Sequence, residues 1–186
     1  MSTNTSNPFM DPVAEYMLQR KWSVDQKSAR KRYLCSLARQ SKQDKDLSSK
    51  IGGMLIYNQV IEQLLSDIVE MSIYYIKAQI WPVSVSLDIE LDSSTFGKVI
   101  EYFKQFATVE PRRDEILAML RKFNIKRNHV VHDLFDIQDL KKLSRELDGY
   151  AELADEIIRM LDDYSDQVCE NFCQLEKRRD FRRLTQ

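Results

Sequence analysis

The sequence predicts an all-α bundle. Two apolar seams at helical spacing carry that expectation, together with a scarcity of breakers: four glycines and four prolines in 186 residues. In the first seam Met54, Tyr57, Ile61, Leu64, Ile68, Met71, Tyr75 and Ala78 recur at alternating intervals of three and four. That pattern keeps one stripe of a helix apolar over about 45 Å at the standard rise. In the second, Leu140, Leu143, Leu147, Tyr150, Ala154, Ile157, Leu161, Tyr164 and Val168 do the same. Two such stripes bury each other, so the expectation is antiparallel packing of two long helices, with Gly149 as the place for a bend. A hydrophobic content of 43% beside 31% charged residues fits a globular chain. The length suits one domain over 11–186, enough to enclose a core.

Taken in order, residues 1–10 are rich in Ser, Thr and Asn and are expected to be disordered. Asp11-Pro12 reads as an N-cap with proline at the first helical position, opening a short helix to about Trp22. Ser23 to Asp46 reads as a second helix. Its basic run, Lys27, Arg30, Lys31, Arg32, Arg39, Lys42 and Lys45, surrounds Tyr33, Leu34, Leu37 and Ala38. Such a run is either a solvated face or a surface that tracks RNA phosphates through Arg30, Lys31 and Arg32.

Ser48 or Ser49 is the expected cap of the first long helix, and Trp81-Pro82 ends it. Val83, Val85, Leu87, Ile89 and Leu91 then alternate with Ser84, Ser86, Asp88 and Glu90, a period-two pattern. It predicts a short extended or strand segment near 83–91: an arm, a small hairpin, or a strand pairing across a dimer. Ser93 or Ser94 is the expected cap of a short helix through Phe106. Glu110-Pro111 opens the next helix, with Asp114 and Glu115 well placed in its first turn. The last helix runs from Gln138 to about Leu184. It ends on Lys177, Arg178, Arg179, Arg182 and Arg183, which suit a helix C-terminus or form a second RNA-facing patch.

Net charge is only −1, but it is uneven. Residues 1–50 hold ten Lys/Arg against five Asp/Glu, and 51–110 hold three against eight. Contact with a nucleic acid must therefore use local basic patches. Three cysteines, Cys35, Cys169 and Cys173, leave one over in any disulfide scheme. The first ten residues lack an apolar signal core, and no apolar run reaches the length of a membrane span. A cytoplasmic protein with reduced thiols and no membrane partner is expected.

The chemistry concentrates in Lys126-Arg127-Asn128-His129-Val130-Val131-His132, which holds both histidines of the chain. Residues four apart share a helix face, so Asn128 lies under His132. Arg127 and His132 stand about 140° apart and about 7.5 Å along the axis. A histidine near its ordinary pKa exchanges protons at neutral pH, and a planar arginine suits phosphate oxygens. Together they provide the minimum for cutting RNA without a metal. His132 would move the proton of a ribose 2′-OH or of the leaving 5′-oxygen, and Arg127 would hold the charge growing on the phosphate. Asn128 can orient His132 or bond the phosphate. Lys126 and His129 are candidates for holding RNA. His129 lies off the Asn128–His132 face, which gives His132 the proton transfer. An arginine five residues before a histidine is a weak signal by itself, and asparagine directly after the arginine sharpens it.

Arg127-Asn128-His129-Val130-Val131-His132 resembles the Arg-Asn-x-x-x-His signature of the HEPN superfamily. These are small all-α domains, many of them metal-independent RNases that act as dimers in toxin–antitoxin and phage-defence systems. A looser likeness extends over about 50–180, through the helix order and the stretch Thr95-Phe96-Gly97-Lys98-Val99-Ile100. The resemblance implies a HEPN-like helical bundle, catalytic roles for Arg127 and His132, and a supporting role for Asn128. It also implies a homodimer, an RNA substrate, no cofactor, and an antitoxin or defence-system partner protein. HEPN toxins paired with a nucleotidyltransferase antitoxin often carry a tyrosine two residues after the histidine. Here Leu134 stands there, so control by modification of such a tyrosine is not expected.

Rival chemistries have thinner support. His129, His132, Asp133 and Asp136 include i, i+3 and i, i+4 pairs, but no third strong metal ligand accompanies them. Cys169 and Cys173 are one helical turn apart without nearby histidines. Gly52-Gly53 lacks the lysine of a phosphate-binding loop. No Ser or Cys nucleophile has a recognisable setting. The main alternative is a non-catalytic helical module that binds a partner protein.

Overall fold

The computed structural model describes residues 24–43, 46–80, 83, 89, 91, 95–109, 112–133 and 140–184, and within these the side chains except at 24–27, 132–133 and 179–184. Five helices are described: α1 Val24–Gln43, α2 Leu47–Ile80, α3 Phe96–Phe106, α4 Arg112–Asp133 and α5 Leu140–Leu184. No strand is found among the described residues. The expected disordered start, the short helix from Asp11 and the breaker Trp81-Pro82 lie outside them.

Helix starts differ from the expected caps. Asp46, not Ser48 or Ser49, caps α2: its carboxylate accepts the Ser49 backbone N–H at 3.2 Å, and its carbonyl accepts that of Lys50 at 3.2 Å. A carboxylate there also faces the positive end of the helix dipole. Thr95 stands at the N-cap of α3, with no side-chain capping bond; Ser93 and Ser94 lie outside the described residues. Of the expected 83–91 segment, Val83 sits in a bend, and Ile89 and Leu91 have no regular structure. Both pack half-buried against the core. Val83 is exposed, so of the described apolar members of the alternating pattern only Ile89 and Leu91 cover the bundle.

The two seams form the centre. All of the first is buried or packed on the core, with Ile61 and Ile68 fully enclosed. The second is buried from Leu143 to Val168, while Leu140 at its start is 63% exposed. The two helices run parallel, not antiparallel as the sequence predicts. Lys50 meets Asp148, Tyr57 meets Asp155 and Tyr75 meets Phe172, so position rises together along both. The cause is α4. It lies against α5 in the opposite direction, with Phe123 on Tyr150 and Arg112 reaching Asp163. One reversal is thereby spent before α5 begins, and α5 returns in the direction of α2. Helix α5 continues through Gly149.

Polar contacts fix this register. The Lys50 ammonium, 10% exposed, donates to both Asp148 oxygens at 2.7 and 2.8 Å and to Ser144 Oγ at 2.9 Å. The Tyr57 hydroxyl donates to Asp155 Oδ1 at 3.0 Å, and that of Tyr150 to Asn58 Oδ1 at 2.5 Å. Helix α1 then lies antiparallel across α5, with Lys31 paired to Asp162, and Arg39 and Lys42 facing Asp155 at 3.8 and 4.0 Å. Gly53 admits the close approach of α1 to α2: a Cβ there would run into the Ser41 side chain.

Candidate active site

Helix α4 is amphipathic in an unequal way. Ile116, Leu120, Phe123 and Val130 are buried on one side. Adding 100° per residue places Arg127 on that same side, between Phe123 and Val130. The structure agrees: Arg127 is half-buried, and its guanidinium carbon lies 5.5 Å from the centre of the Phe96 ring. Phe96 is in turn edge-on to Phe123 at 5.9 Å, and Phe123 lies 4.7 Å from Tyr150. Arg127 therefore caps a ladder of three aromatic rings that ends on the buried Asn58 amide. Burial pushes the Tyr150 phenol well up, against the opposing pull of the Arg127 charge and of the Asn58 hydrogen bond.

The opposite side of α4 faces outward. Asn128 and His129 are exposed there, with Ile125 71% exposed one turn before them. His132 belongs to the last turn of α4 by its backbone, and its side chain lies outside the described residues. The distance between the Arg127 guanidinium and the His132 imidazole is therefore not part of the geometry; their shared helix is. Lys126, half-buried, reaches across to Gly149, where a Cβ would meet its Nζ at 2.8 Å. His129 Nδ1 lies 4.0 Å from Glu146 Oε2, and Lys142 Nζ lies 3.9 Å from the other oxygen of that carboxylate.

The basic candidates on α1 fare differently from one another. Arg30 and Arg32 are exposed, whereas Lys31 is committed to Asp162. Burial pushes the thiol of Cys35, between these pairs, upward, as expected away from a reactive setting. Cys35, Cys169 and Cys173 form no disulfide. Among the described residues no group of three or more His, Cys, Asp or Glu is placed to hold a metal ion, and no helix is long and apolar enough to cross a membrane.

Three residues at the site escaped the sequence reading. Phe96 was visible only as part of the Thr95–Ile100 stretch, without its role as a platform for Arg127. Tyr150 was read as a seam residue. Glu146 is one of many acids on α5, and only the pairing of α4 with α5 singles it out. No family model, no curated protein and no solved structure matches the chain. The specific match to the HEPN signature is residues 127–132.

Proposed function

We propose that the chain is a metal-independent endoribonuclease of HEPN type, with Arg127 and His132 as catalytic residues and Asn128 in support. One observation carries the reading. Arg127 is anchored over Phe96 with its charge at the edge of the core, while the outward side of the same helix offers Asn128 and His129 to solvent. An arginine stacked on a ring keeps its edge N–H donors for a phosphate and loses little freedom in binding it. His132 moves a proton, the ribose 2′-OH attacks the adjacent phosphorus, and the 5′-oxygen leaves. Lys126 and His129 stand where RNA would lie. An in-line displacement needs a second proton-transfer group across the phosphorus. Two motif helices meeting about a two-fold axis would supply it, the arrangement the resemblance implies. A toxin–antitoxin or antiviral defence setting, with a partner protein that restrains the nuclease, follows from the same likeness.

The test is His132→Ala. It should lower RNA cleavage by about two to four decades at unchanged fold. Full cleavage by this variant would remove the assignment. A second reading, a helical module that binds a partner protein through the outer face of α4, is favoured by the exposure of Ile125 and Val131 there. That reading takes over if the folded wild type cuts no RNA.

A further inference from the structure

Lys31, Lys42 and Lys50 each reach across to another helix and meet a carboxylate there. Lys126 also reaches across, from α4 to α5, and faces the bare backbone of Gly149. Its Nζ lies 2.8 Å from the point where a Cβ of Gly149 would stand. Apart from α5 itself, no other atom lies within 4 Å of that point. No carboxylate stands within ion-pair distance of Lys126 among the described residues. Glycine inside a helix is unfavourable relative to alanine, and here the missing side chain is the seat of a cation. That cation is half-buried. A charge drawn partly out of water without a counter-charge is stabilised by an anion that reaches it.

Arg145 continues the strip. It stands four residues before Gly149 on the same face of α5 and is exposed. Its Nε donates to the Lys141 carbonyl at 3.4 Å, which lays the guanidinium along α5 and leaves the terminal nitrogens for a ligand. From Gly149 back to Lys141 the strip is about 12 Å long at the standard rise, room for two phosphates of one strand. The acid beside it, Glu146, is already engaged by Lys142 at 3.9 Å.

We infer that Lys126 and Arg145 form a phosphate-tracking subsite along α5, which takes the phosphates of a single RNA strand next to the one held at Arg127. The inference rests on the ribonuclease reading for the identity of the ligand. Lys126 and Arg127 are adjacent in the chain but about 100° apart around α4. Arg127 is turned to Phe96 and Lys126 to Gly149, so the two cations address different phosphates. Phosphate contacts fix where a strand lies without reading its bases. The subsite therefore sets the path of the strand and not the sequence that is cut.

The probe is a short RNA carrying 2′-O-methyl groups throughout, which blocks the nucleophile and keeps every phosphate. Its affinity is read by fluorescence anisotropy over a salt series for wild type, Lys126→Gln, Arg145→Gln, Gly149→Ala and Lys104→Gln. Lys104, paired with Glu101 on α3 at 3.6 Å, controls for the loss of one surface charge. Lys126→Gln and Arg145→Gln should each raise Kd by about two- to fivefold. Each should also make the slope of log Kd against log salt shallower by about 0.7, equally for probes of different base sequence. Gly149→Ala should raise Kd with Tm at or above that of wild type, and Lys104→Gln should bind as wild type does. Wild-type affinity and slope in Lys126→Gln and Arg145→Gln overturn the inference, and cleavage by the wild type then keeps the ribonuclease reading. Wild-type affinity in Gly149→Ala overturns the seating of Lys126. An equal loss in Lys104→Gln reduces the effect to net charge and overturns the subsite. So does an acidic peptide of matching charge that displaces the probe as well as RNA does, since the surface is then a protein-docking one. The expected variant effects beside a wild type that cuts no unmodified RNA support the subsite and remove the nuclease.

Discussion

Two basic stretches of this chain look alike in the sequence and behave differently in the fold. On α1, Lys31, Arg39 and Lys42 turn toward α5 and meet Asp162, Asp155 and Glu152. On α4, Arg127 turns inward onto an aromatic ring, while the outward side of that helix carries the exposed Asn128 and His129. In the first place positive charge docks a helix. In the second a single charge is pinned at the edge of the core, next to exposed polar side chains. The lesson concerns what surrounds each cation. A charge matched by carboxylates is committed to the fold, whereas a charge matched only by a π-face remains available to an anion.

The sharpest way to break this contrast is to remove Arg127. Arg127→Ala should lower RNA cleavage by about two to three decades, and Arg127→Lys should restore only part of it because the planar fork is lost. Loss of the Phe96 contact should also cost about 0.5–2 kcal/mol of stability, a penalty that a reading of Arg127 as a solvated side chain does not anticipate. Denaturant melts of both variants separate the two effects. If stability fell and cleavage did not, Arg127 would be a packing residue like those of α1.

The converse change belongs on α5. Asp155→Ala should leave cleavage intact and cost about 1–3 kcal/mol, since the buried Tyr57 hydroxyl loses its acceptor and α1 loses its anchor. Gly53→Ala should destabilise by a similar amount, about 1–3 kcal/mol, because the added methyl meets Ser41 where α1 crosses α2. Wild-type stability in either variant would show that α1 is not docked as described.

A weaker effect is expected with pH. Burial raises the phenol pKa of Tyr57 and Tyr150 above the ordinary value. In the unfolded chain these phenols ionise near about pH 10. In the folded chain they keep their protons above that pH, so the folded state then binds more protons. Stability should therefore be steady below about pH 10 and decline as pH rises further. Thermal melts across that range check it, and a flat profile would contradict the burial of both hydroxyls. Smallest of all should be Lys31→Ala, a loss of about 0–1 kcal/mol for a half-exposed pair. Its RNA affinity should be unchanged, unlike that of Arg30→Ala or Arg32→Ala if α1 tracks phosphates at all.

The helices and both seams were legible in the sequence because burial imposes a period, and Ile61, Ile68, Leu147 and Ile157 obey it. Direction was not legible. Periodicity says which face is apolar and nothing about which end meets which, and the α4 reversal that makes α2 and α5 parallel depends on contacts far apart in the chain. The cap at Asp46 was obscured by two serines that suit the role equally well by type. The motif at 127–132 lies on α4, the helix that the apolar residues around it predict. The inward turn of Arg127 could have been read from its place between Phe123 and Val130. Phe96 and Glu146 could not, since each becomes meaningful only when another helix is laid against α4.

The central claim meets its most direct test in the products of cleavage. Purified protein is incubated with an RNA oligonucleotide in excess EDTA, beside its all-deoxy counterpart, and the fragment ends are read by mass spectrometry. The account predicts RNA fragments ending in a 2′,3′-cyclic phosphate or the derived 3′-phosphate, each opposite a 5′-hydroxyl, and an intact DNA strand. Cleavage that stops in EDTA, cuts DNA equally or leaves a 5′-phosphate would contradict it.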